Sequence, residues 1–324
     1  MSITLSIVIP VYNGEQTIGH LCSVLIDLYT KHYKLDIVLV NDGSRDGSDL
    51  ICKKLHADYP DQISYIKLSK NFGEHNAVLA GLNHVNGDYC VIMDDDFQNP
   101  PEEVGKLVEE IKKGYDVVYA YYASKKDSWF RNFGSKVHNK MANVILKKPG
   151  DLYLSSFKIV NRFLMKEIIK YIGPDPYLDA IILRSTDNIG KVQLLHRKRT
   201  YSESGYTLAK LVALWGNMIV SFSLVPLRII GFVGAAISVI GLFYGLYKVF
   251  DDLSTKRLLT DYESLMFANM VFRGMVLLAI SLLGEYVGRI YLSLNKDPQF
   301  VIRDKQLAGE DKRDQIKYLK DYQA

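Results

Sequence analysis

Three consecutive carboxylates are the residues of this chain whose types and spacing most clearly suggest chemistry. Asp94, Asp95 and Asp96 directly follow the apolar run 89–93 and precede two prolines. Like charges at the end of a buried strand destabilise one another unless something compensates them. Oxygen ligands suit Mg²⁺ or Mn²⁺, and Mg²⁺ commonly takes one or two protein carboxylates while phosphate oxygens fill further positions. The segment therefore predicts a metal-nucleotide site, and an acidic turn without a metal is the alternative.

The composition limits the kind of protein. The chain has 324 residues, of which 48% are hydrophobic, and a formal net charge of +4. This length suits one or two domains with a sizeable core, and so small a charge gives no support for nucleic-acid binding. Cys22, Cys52 and Cys90 lie far apart within apolar patterns, which predicts reduced core residues rather than disulfides or a metal knuckle. No basic segment followed by a hydrophobic stretch opens the chain, so we expect no signal peptide and a cytoplasmic N-terminal domain.

The elements that must position the acids follow an alternating pattern. Apolar runs predict strands over 3–11, 36–40, 63–68, 89–93 and 116–120. Helical spacing predicts helices over 17–28, 74–85 and 102–112, and later over 132–146, 160–172 and 178–188. This alternation predicts an α/β fold with a mostly parallel sheet and helices on both faces. Ligands bind such sheets beyond the carboxyl ends of the strands, where Asp42 and the three acids fall.

Two long apolar stretches follow the α/β pattern. Residues 207–222 place apolar side chains on one helical face, and residues 229–247 contain no charge over 19 positions. That second run is long enough to cross a hydrocarbon core of about 30 Å, which favours an interfacial helix leading into a membrane span. The stretch 265–294 is also apolar, although three charged residues interrupt it. Two buried helices of a soluble domain are the alternative.

These patterns predict four parts of the chain. They are an α/β domain over 1–206, an interfacial amphipathic helix over 207–226, a two-helix transmembrane domain over 227–294 and a basic tail over 295–324. Basic residues flank the inner ends of both spans, which predicts a multi-pass protein of the cytoplasmic membrane with its α/β domain and tail in the cytoplasm. Small residues of the first span, such as Gly231 and Gly234, are compatible with homo-oligomers formed through the transmembrane helices.

Several motifs, in order, resemble one known family. They are Ser-Ile-Val-Ile-Pro-Val-Tyr-Asn at 6–13, Asn-Asp-Gly-Ser at 41–44, Asn-Phe-Gly at 71–73 and Met-Asp-Asp-Asp-Phe-Gln-Asn-Pro-Pro-Glu at 93–102. Together they are similar to the family 2 glycosyltransferases of the GT-A fold. The runs 127–131 and 283–291 further resemble the membrane-anchored polyprenyl-phosphate glycosyltransferases of that family. The resemblance covers almost the whole chain and implies a GT-A, Rossmann-like sheet.

The resemblance also implies a donor site for a nucleotide-sugar, most simply a UDP-hexose, with Mg²⁺ or Mn²⁺. Asp94 and Asp96 would be the two acids of the DxD motif, with Gln98 assisting the metal. Asp95 would either point away or raise the local proton affinity. Nucleotide-sugar contacts are implied for Pro10, Tyr12, Glu15, Asp42, Asp94 and Asp95. At Asp42 the alternative is a simple turn residue.

The implied acceptor is undecaprenyl phosphate or another polyprenyl phosphate. Lys158 stands where many relatives have arginine, which keeps the charge but loses the planar fork that suits phosphate oxygens. Asp151 and Asp179 would orient the sugar or the acceptor, because a phosphate monoester is mostly dianionic at neutral pH and already nucleophilic. Positions that match the family's phosphate-binding residues are Arg131, Ser135, Lys136, Lys158 and Arg199.

The activity implied by the resemblance is an inverting single displacement that yields a lipid-linked sugar for cell-envelope glycan modification. One alternative is a membrane scaffold or lipid-translocation partner that carries a glycosyltransferase-like domain without enzymatic activity. Another is a glycosyltransferase with a different acceptor.

Overall fold

The computed structural model describes residues 3–122, 152–173, 176–195, 262–294 and 298–309, with a few positions between 232 and 243. The chain divides into two compact units. One contains residues 1–205 and 297–324, and the other contains residues 206–296. All predicted site residues that the structure describes belong to the first unit.

Within the described residues, the first unit contains one eight-stranded sheet in the order β7-β5-β6-β4-β1-β2-β3-β8. The strands are β1 Thr4–Val11, β2 Lys34–Asn41, β3 Ile63–Leu68, β4 Tyr89–Ile92, β5 Val117–Tyr121, β6 Lys158–Asn161, β7 Ile189–Gln193 and β8 Ile302–Gln306. Neighbouring pairs are parallel except where β6 meets β4 and β5, and where β8 meets β3. The predicted mostly parallel α/β sheet is confirmed, with two strands running against their neighbours.

Helices connect the parallel strands, which cannot be joined by tight turns. They are α1 Ile18–Tyr29, α2 Ser48–Asp58, α3 Glu74–Leu82, α4 Val104–Ile111, α5 Arg162–Ile168 and α6 Leu178–Ser185. A short 3₁₀ helix, Pro101–Glu103, precedes α4. The second unit contains α7, Tyr262–Leu294.

The central strands are buried on both faces. In β1 the consecutive residues Ile7, Val8 and Ile9 are all fully buried, as are Ile37 and Val38 in β2. Successive residues of a strand point to opposite faces, so this burial requires cover on each side of the sheet. The polar residues that follow the strands therefore emerge at the carboxyl edge.

Several parts of the first unit depart from the predictions, and one of them is β7, which was not predicted as a strand. The helix α2 was not predicted, since it buries only Ser48, Cys52 and Leu55 and has no strong apolar period. The pattern at 160–172 predicted a single helix, but Asn161 ends β6 and its side chain then caps α5 by accepting a hydrogen bond from the Leu164 N–H at 2.8 Å. The predicted tail contributes β8 to the sheet.

Among the described residues, no helix is both long enough and apolar enough for a membrane crossing. The predicted span 265–294 falls within α7. The predicted interfacial helix and most of the predicted span 229–247 lie outside the described residues.

The loop after β3 is held from two sides. The Ser69 N–H donates a hydrogen bond to the Val301 carbonyl, just before β8, at 2.8 Å. On the other side the loop lies close to Gly43, which follows β2 and has a φ of +69°. A Cβ at Gly43 would come within 2.6 Å of the Asn71 nitrogen and of the Lys70 carbonyl carbon. Glycine therefore lets the two loops approach.

We expect Gly43→Ala to destabilise the protein and to displace the loop after β3. The left-handed conformation alone costs about 1–2 kcal/mol for a residue with a Cβ, and the contact with Asn71 adds to that cost. Thermal unfolding measures the change. Gly114→Ala is the matched control, because Gly114 also has a positive φ, +102°, but an added Cβ meets nothing within 4 Å. Equal losses for the two variants would contradict the role of the close approach.

Candidate functional site

The three acids do not share one environment. Asp94 Oδ2 accepts a hydrogen bond from the Ser156 hydroxyl at 2.7 Å, and Asp96 Oδ1 accepts one from the Gln98 N–H at 3.0 Å. Asp95 instead packs against the loop after β1, because a Cβ at Gly14 would lie 1.9 Å from Asp95 Oδ2. This arrangement continues the two-residue alternation of β4 beyond its end. The carboxylate of Asp95 points away from the side on which Asp94 meets Ser156.

The neighbourhood of Asp95 confirms its direction within the fold. Burial first, and then the charge of Asp95, raise the pKa of the Cys22 thiol to about 12. Cys22 is a fully buried residue of α1. Asp95 therefore lies toward α1 and the loop after β1.

The turn after the acids is anchored by buried polar contacts. Phe97 has a φ of 58°, which turns the chain so that the Gln98 N–H reaches Asp96. Asn99 is buried, and its Oδ1 accepts a hydrogen bond from the Tyr122 hydroxyl at 2.5 Å. The positions of the acids are thus tied to the end of β5 as well as to β4.

Asp42 holds the loop after β3. Its carboxylate is buried and accepts hydrogen bonds from the Phe72 N–H at 2.7 Å and the Gly73 N–H at 2.9 Å. Burial raises the pKa of Asp42, and these two N–H donors oppose the shift. The structure therefore gives Asp42 a definite role in shaping the edge beside β2, while nucleotide contact remains a prediction.

The loops after β1 and β2 are cross-linked. The Asn13 N–H donates to Ser44 Oγ at 3.1 Å, and Asn13 Oδ1 accepts from the Arg45 N–H at 2.9 Å. Glu15 Oε2 accepts a hydrogen bond from the Gly47 N–H at 2.7 Å, at the start of α2. Of the other predicted nucleotide contacts, Tyr12 is 49% exposed, whereas Pro10 lies within β1. Exposure leaves the Tyr12 ring accessible to a base.

A buried ion pair lies at the start of β6. Lys158 Nζ pairs with Asp179 Oδ1 of α6, and the two side chains are 3% and 9% exposed. Asp179 Oδ1 also accepts a hydrogen bond from the Tyr119 hydroxyl at 2.9 Å, and Lys158 Nζ lies 5.1 Å from the centre of the Tyr119 ring. The charge of Lys158 is therefore used inside the protein, and its predicted phosphate contact stays a prediction.

Among the described residues, negative charge dominates the carboxyl edge near β4. Burial and the charges of Glu74 and Asp96 raise the pKa of Asp94 to about 7, against the opposing Ser156 hydroxyl and the charge of Lys158. Desolvation of its carboxyl group also raises the pKa of Glu74, the charges of Asp179 and Asp96 act in the same direction, and the charge of Lys158 opposes them. Two carboxylates and nearby phosphate oxygens are the donor set that Mg²⁺ and Mn²⁺ accept, and such an ion would offset this excess of charge.

His75 adds no positive charge to this edge. Burial lowers its pKa to about 4, and the charge of Lys158 acts in the same direction, while Asp179 opposes both. The imidazole is therefore neutral at neutral pH. In the described ranges, no group of three or more histidine, cysteine or acidic side chains is placed to hold a metal by itself. Asp94 and Asp96 would act together with ligands from the diphosphate.

Sequence reasoning missed two residues of this edge. Glu74 begins α3, where an acid is an ordinary first-turn residue, so its charge contribution to Asp94 had no signal of its own. Ser156 lies in the motif Ser-Ser-Phe-Lys, and only the strand register brings it to Asp94. The predicted residues Asp151, Arg131, Ser135, Lys136 and Arg199 lie outside the described residues.

Removing one partner of the buried pair is expected to destabilise the protein more than removing both. Lys158→Met leaves the Asp179 carboxylate buried without its cation, at a cost of about 3–5 kcal/mol. The double variant Lys158→Met with Asp179→Leu removes both charges and should recover much of that loss. Thermal unfolding of the four proteins tests the coupling. An unchanged unfolding midpoint for Lys158→Met, with weaker use of a phosphate acceptor, would instead favour the predicted phosphate contact.

Binding of Mn²⁺ is expected to depend on pH through Asp94. Below its pKa of about 7 the carboxyl holds a proton that a cation must displace, so affinity should rise as pH increases toward 7 and level off above it. The slope should approach about tenfold per pH unit well below the pKa. Electron paramagnetic resonance of free Mn²⁺ measures the affinity, with Asp94→Asn as the variant that lacks this titration. A constant affinity between about pH 5 and pH 8 would contradict the assignment.

Comparison with known proteins connects this arrangement to a family. The family model described as glycosyl transferase family 2 matches residues 6–169. The undecaprenyl-phosphate 4-deoxy-4-formamido-L-arabinose transferase of Shewanella sediminis is 32% identical over 318 residues, covering 94% of this chain and 93% of the relative. The transferase of the same name from Edwardsiella ictaluri is 29% identical, covering 96% of this chain and 97% of the relative.

Solved structures share the fold. Glucosyl-3-phosphoglycerate synthase from Mycobacterium tuberculosis, in complex with UDP, has a TM-score of 0.52 at 20% identity and covers 68% of this chain and 79% of its own. A complex of that synthase with Mn²⁺, UDP and phosphoglyceric acid has a TM-score of 0.51 at 19% identity, covering 67% and 76%. The family match, together with the similarity to named transferases along almost the whole chain, confirms that the protein is an enzyme. The alternative of a non-enzymatic membrane scaffold is not supported. The chain therefore belongs to glycosyl transferase family 2.

Proposed function

We propose that this protein transfers a sugar from a nucleoside-diphosphate sugar to undecaprenyl phosphate. The observation that carries the proposal is the pair Asp94 and Asp96 at the carboxyl edge of a family 2 sheet, in a chain similar along 94% of its length to a transferase named for that acceptor. The product would be a lipid-linked sugar for cell-envelope glycans.

The donor half of the site lies between β1, β2 and β4. Asp94 and Asp96, with Gln98 near them, would hold Mg²⁺ or Mn²⁺, which neutralises the departing diphosphate when it is bound. The exposed Tyr12 ring and the loop held by Asp42 would border the base and ribose. A uridine nucleotide is supported by the structural relatives, whose complexes contain UDP and Mn²⁺.

The acceptor half would lie where the family's phosphate-binding residues fall. Arg131, Ser135, Lys136 and Arg199 would receive the lipid phosphate, because guanidinium and ammonium groups suit phosphate oxygens. A polyprenyl acceptor requires access to a membrane, so we further propose that the protein is held at the cytoplasmic membrane by the apolar stretches 229–247 and 265–294.

The transfer needs no strong base in the protein. A phosphate monoester with a second pKa near 6 is mostly dianionic at neutral pH, so one of its oxygens can attack the anomeric carbon directly. The bond from that carbon to the diphosphate oxygen breaks as the new bond forms, its electron pair leaves with the nucleoside diphosphate, and the configuration inverts. Asp179 already accepts a hydrogen bond from the Tyr119 hydroxyl and pairs with Lys158. These fixed contacts suit a residue that orients the sugar or the acceptor.

The identity of the transferred sugar is the most specific part of the proposal. The curated relatives are named for 4-deoxy-4-formamido-L-arabinose, whereas the sequence resemblance most simply implies a UDP-hexose. We propose a UDP-linked sugar and leave its identity to a direct comparison of donors.

The full-length protein in detergent, with undecaprenyl phosphate and radiolabelled donors, tests the proposal. Donors should include UDP-4-deoxy-4-formamido-L-arabinose, UDP-glucose and UDP-N-acetylglucosamine, each with Mg²⁺ or Mn²⁺ and with a chelator. Label should move to the organic phase with one donor and only with the metal present. Absence of a lipid-linked sugar with every donor would contradict the proposed function.

Asp96→Ala should lower turnover by at least about 100-fold, because it removes one of two carboxylates that hold the metal-diphosphate. The same assay measures the loss. Asp61→Ala is the matched control, since Asp61 is exposed in the turn before β3. Near-parental turnover of Asp96→Ala would contradict the assignment of Asp96 as a metal ligand. It would not contradict the membership of the chain in the family.

A further inference from the structure

The segment that precedes β6 continues the register of the sheet beyond the last strand pair. In the antiparallel pair β4–β6, Tyr89 lies opposite Asn161 and Ile92 lies opposite Lys158. Two further steps in the same register place Ser156 opposite Asp94. The side chains meet there, with Ser156 Oγ 2.7 Å from Asp94 Oδ2. The contact follows from strand pairing rather than from a chance approach of two loops.

The neighbours of Ser156 hold it in place from the other side. The β5–β6 pair has Tyr119 opposite Lys158, and continuing that register places Tyr122 opposite Ser155. Their hydroxyl oxygens lie 3.2 Å apart, and the Ala120 N–H donates to the Phe157 carbonyl at 3.1 Å. The β5–β6 pairing therefore extends to the residues that precede β6.

The rest of the segment 155–158 is immobilised by burial. Phe157 is fully buried in the core, and Lys158 is committed to its ion pair with Asp179. Ser156 itself is half-buried and lies between two such anchors. Its hydroxyl is therefore carried by a stretch of backbone that the neighbouring residues hold in place.

A hydroxyl that faces an ionised carboxylate can only donate, because the carboxylate has no proton to give. This donation occupies one oxygen of Asp94 and stabilises its charged form. It also fixes the plane of the carboxylate, so the second oxygen is presented in one orientation. Orientation of a ligand by a hydrogen-bonded neighbour is a general means of tuning a metal site.

We propose that Ser156 is a positioning residue that orients the Asp94 carboxylate for the divalent cation and thereby sets the affinity of the donor site for metal. The inference rests on the proposed metal-dependent function. It assigns to the segment before β6 a role that the acids alone do not reveal. A purely structural role, in which the hydroxyl only joins β4 to β6, makes a different prediction, since it would change stability without changing metal affinity.

The test measures Mn²⁺ binding to the full-length protein with saturating UDP and without acceptor, by electron paramagnetic resonance of the free ion, with the same concentration of UDP alone as the blank. Ser156→Ala should weaken binding by about tenfold, as expected for the loss of a hydrogen bond to a charged group. Ser156→Thr keeps the hydroxyl and should bind within about twofold of the parent. Thermal unfolding of each variant is recorded beside the binding curve.

Ser155→Ala is the matched control, because it lies in the same segment and meets Tyr122 rather than Asp94. It should bind Mn²⁺ like the parent. Parental affinity in Ser156→Ala, or equal weakening in Ser155→Ala, would overturn the inference. If Ser156→Ala does not fold, Ser156→Cys keeps the volume with a weaker donor, and parental binding in that variant overturns it as well.

The outcomes separate this inference from the proposed function. A parent protein that binds Mn²⁺ and makes lipid-linked sugar, with Ser156→Ala binding equally well, removes only the positioning role. A parent protein that binds no Mn²⁺ beyond the UDP blank removes the metal assignment on which both depend.

Discussion

The reversed direction of β6 is the constraint on which the site depends. In a wholly parallel sheet, the carboxyl edge receives only the residues that follow each strand. Here β6 runs against β4 and β5, so the residues that precede it, 155–157, reach the same edge as Asp94. A sheet edge that would otherwise carry only the acids after β4 thus gains two serines and, at the first position of the strand, Lys158. Each of the four residues 155–158 then has its own anchor.

The ion pair of Lys158 explains why the edge near Asp94 stays negative among the residues that the structure describes. The Lys158 ammonium group is buried and pairs with Asp179 Oδ1, and the Tyr119 hydroxyl donates a hydrogen bond to the same oxygen. An ion pair of this kind adds little net stability over apolar packing, but it fixes the geometry of the groups that form it. Asp94 is left with Glu74 and Asp96 as neighbours, and the buried His75 remains neutral. A divalent cation is the species that such an arrangement accommodates, in agreement with the family to which the chain belongs.

The sequence predicted the three acids but not the residues that hold them in place, and the reasons are physical. The strands β1 to β5 are continuous apolar runs in the sequence, so most of the parallel sheet could be predicted. The direction of Asp95 also follows from the two-residue alternation of a strand, although choosing between its two proposed roles required the contact with Gly14. The strand β6 passes directly into α5 after Asn161, and its last two residues were absorbed into the helix predicted over 160–172. Without β6 there is no register, and without register neither Ser156 nor the Lys158–Asp179 pair could be assigned.

The loop after β3 is held in place by distant parts of the chain. Asp42 draws the Phe72 and Gly73 N–H groups toward β2, and Gly43 permits the close approach. The beginning of the same loop is bonded to Val301, and β8 then covers β3, which would otherwise be an exposed edge strand. Residues that follow α7 in sequence are therefore part of the same sheet as Asp42 and Asp94, and they support the loop that Asp42 holds.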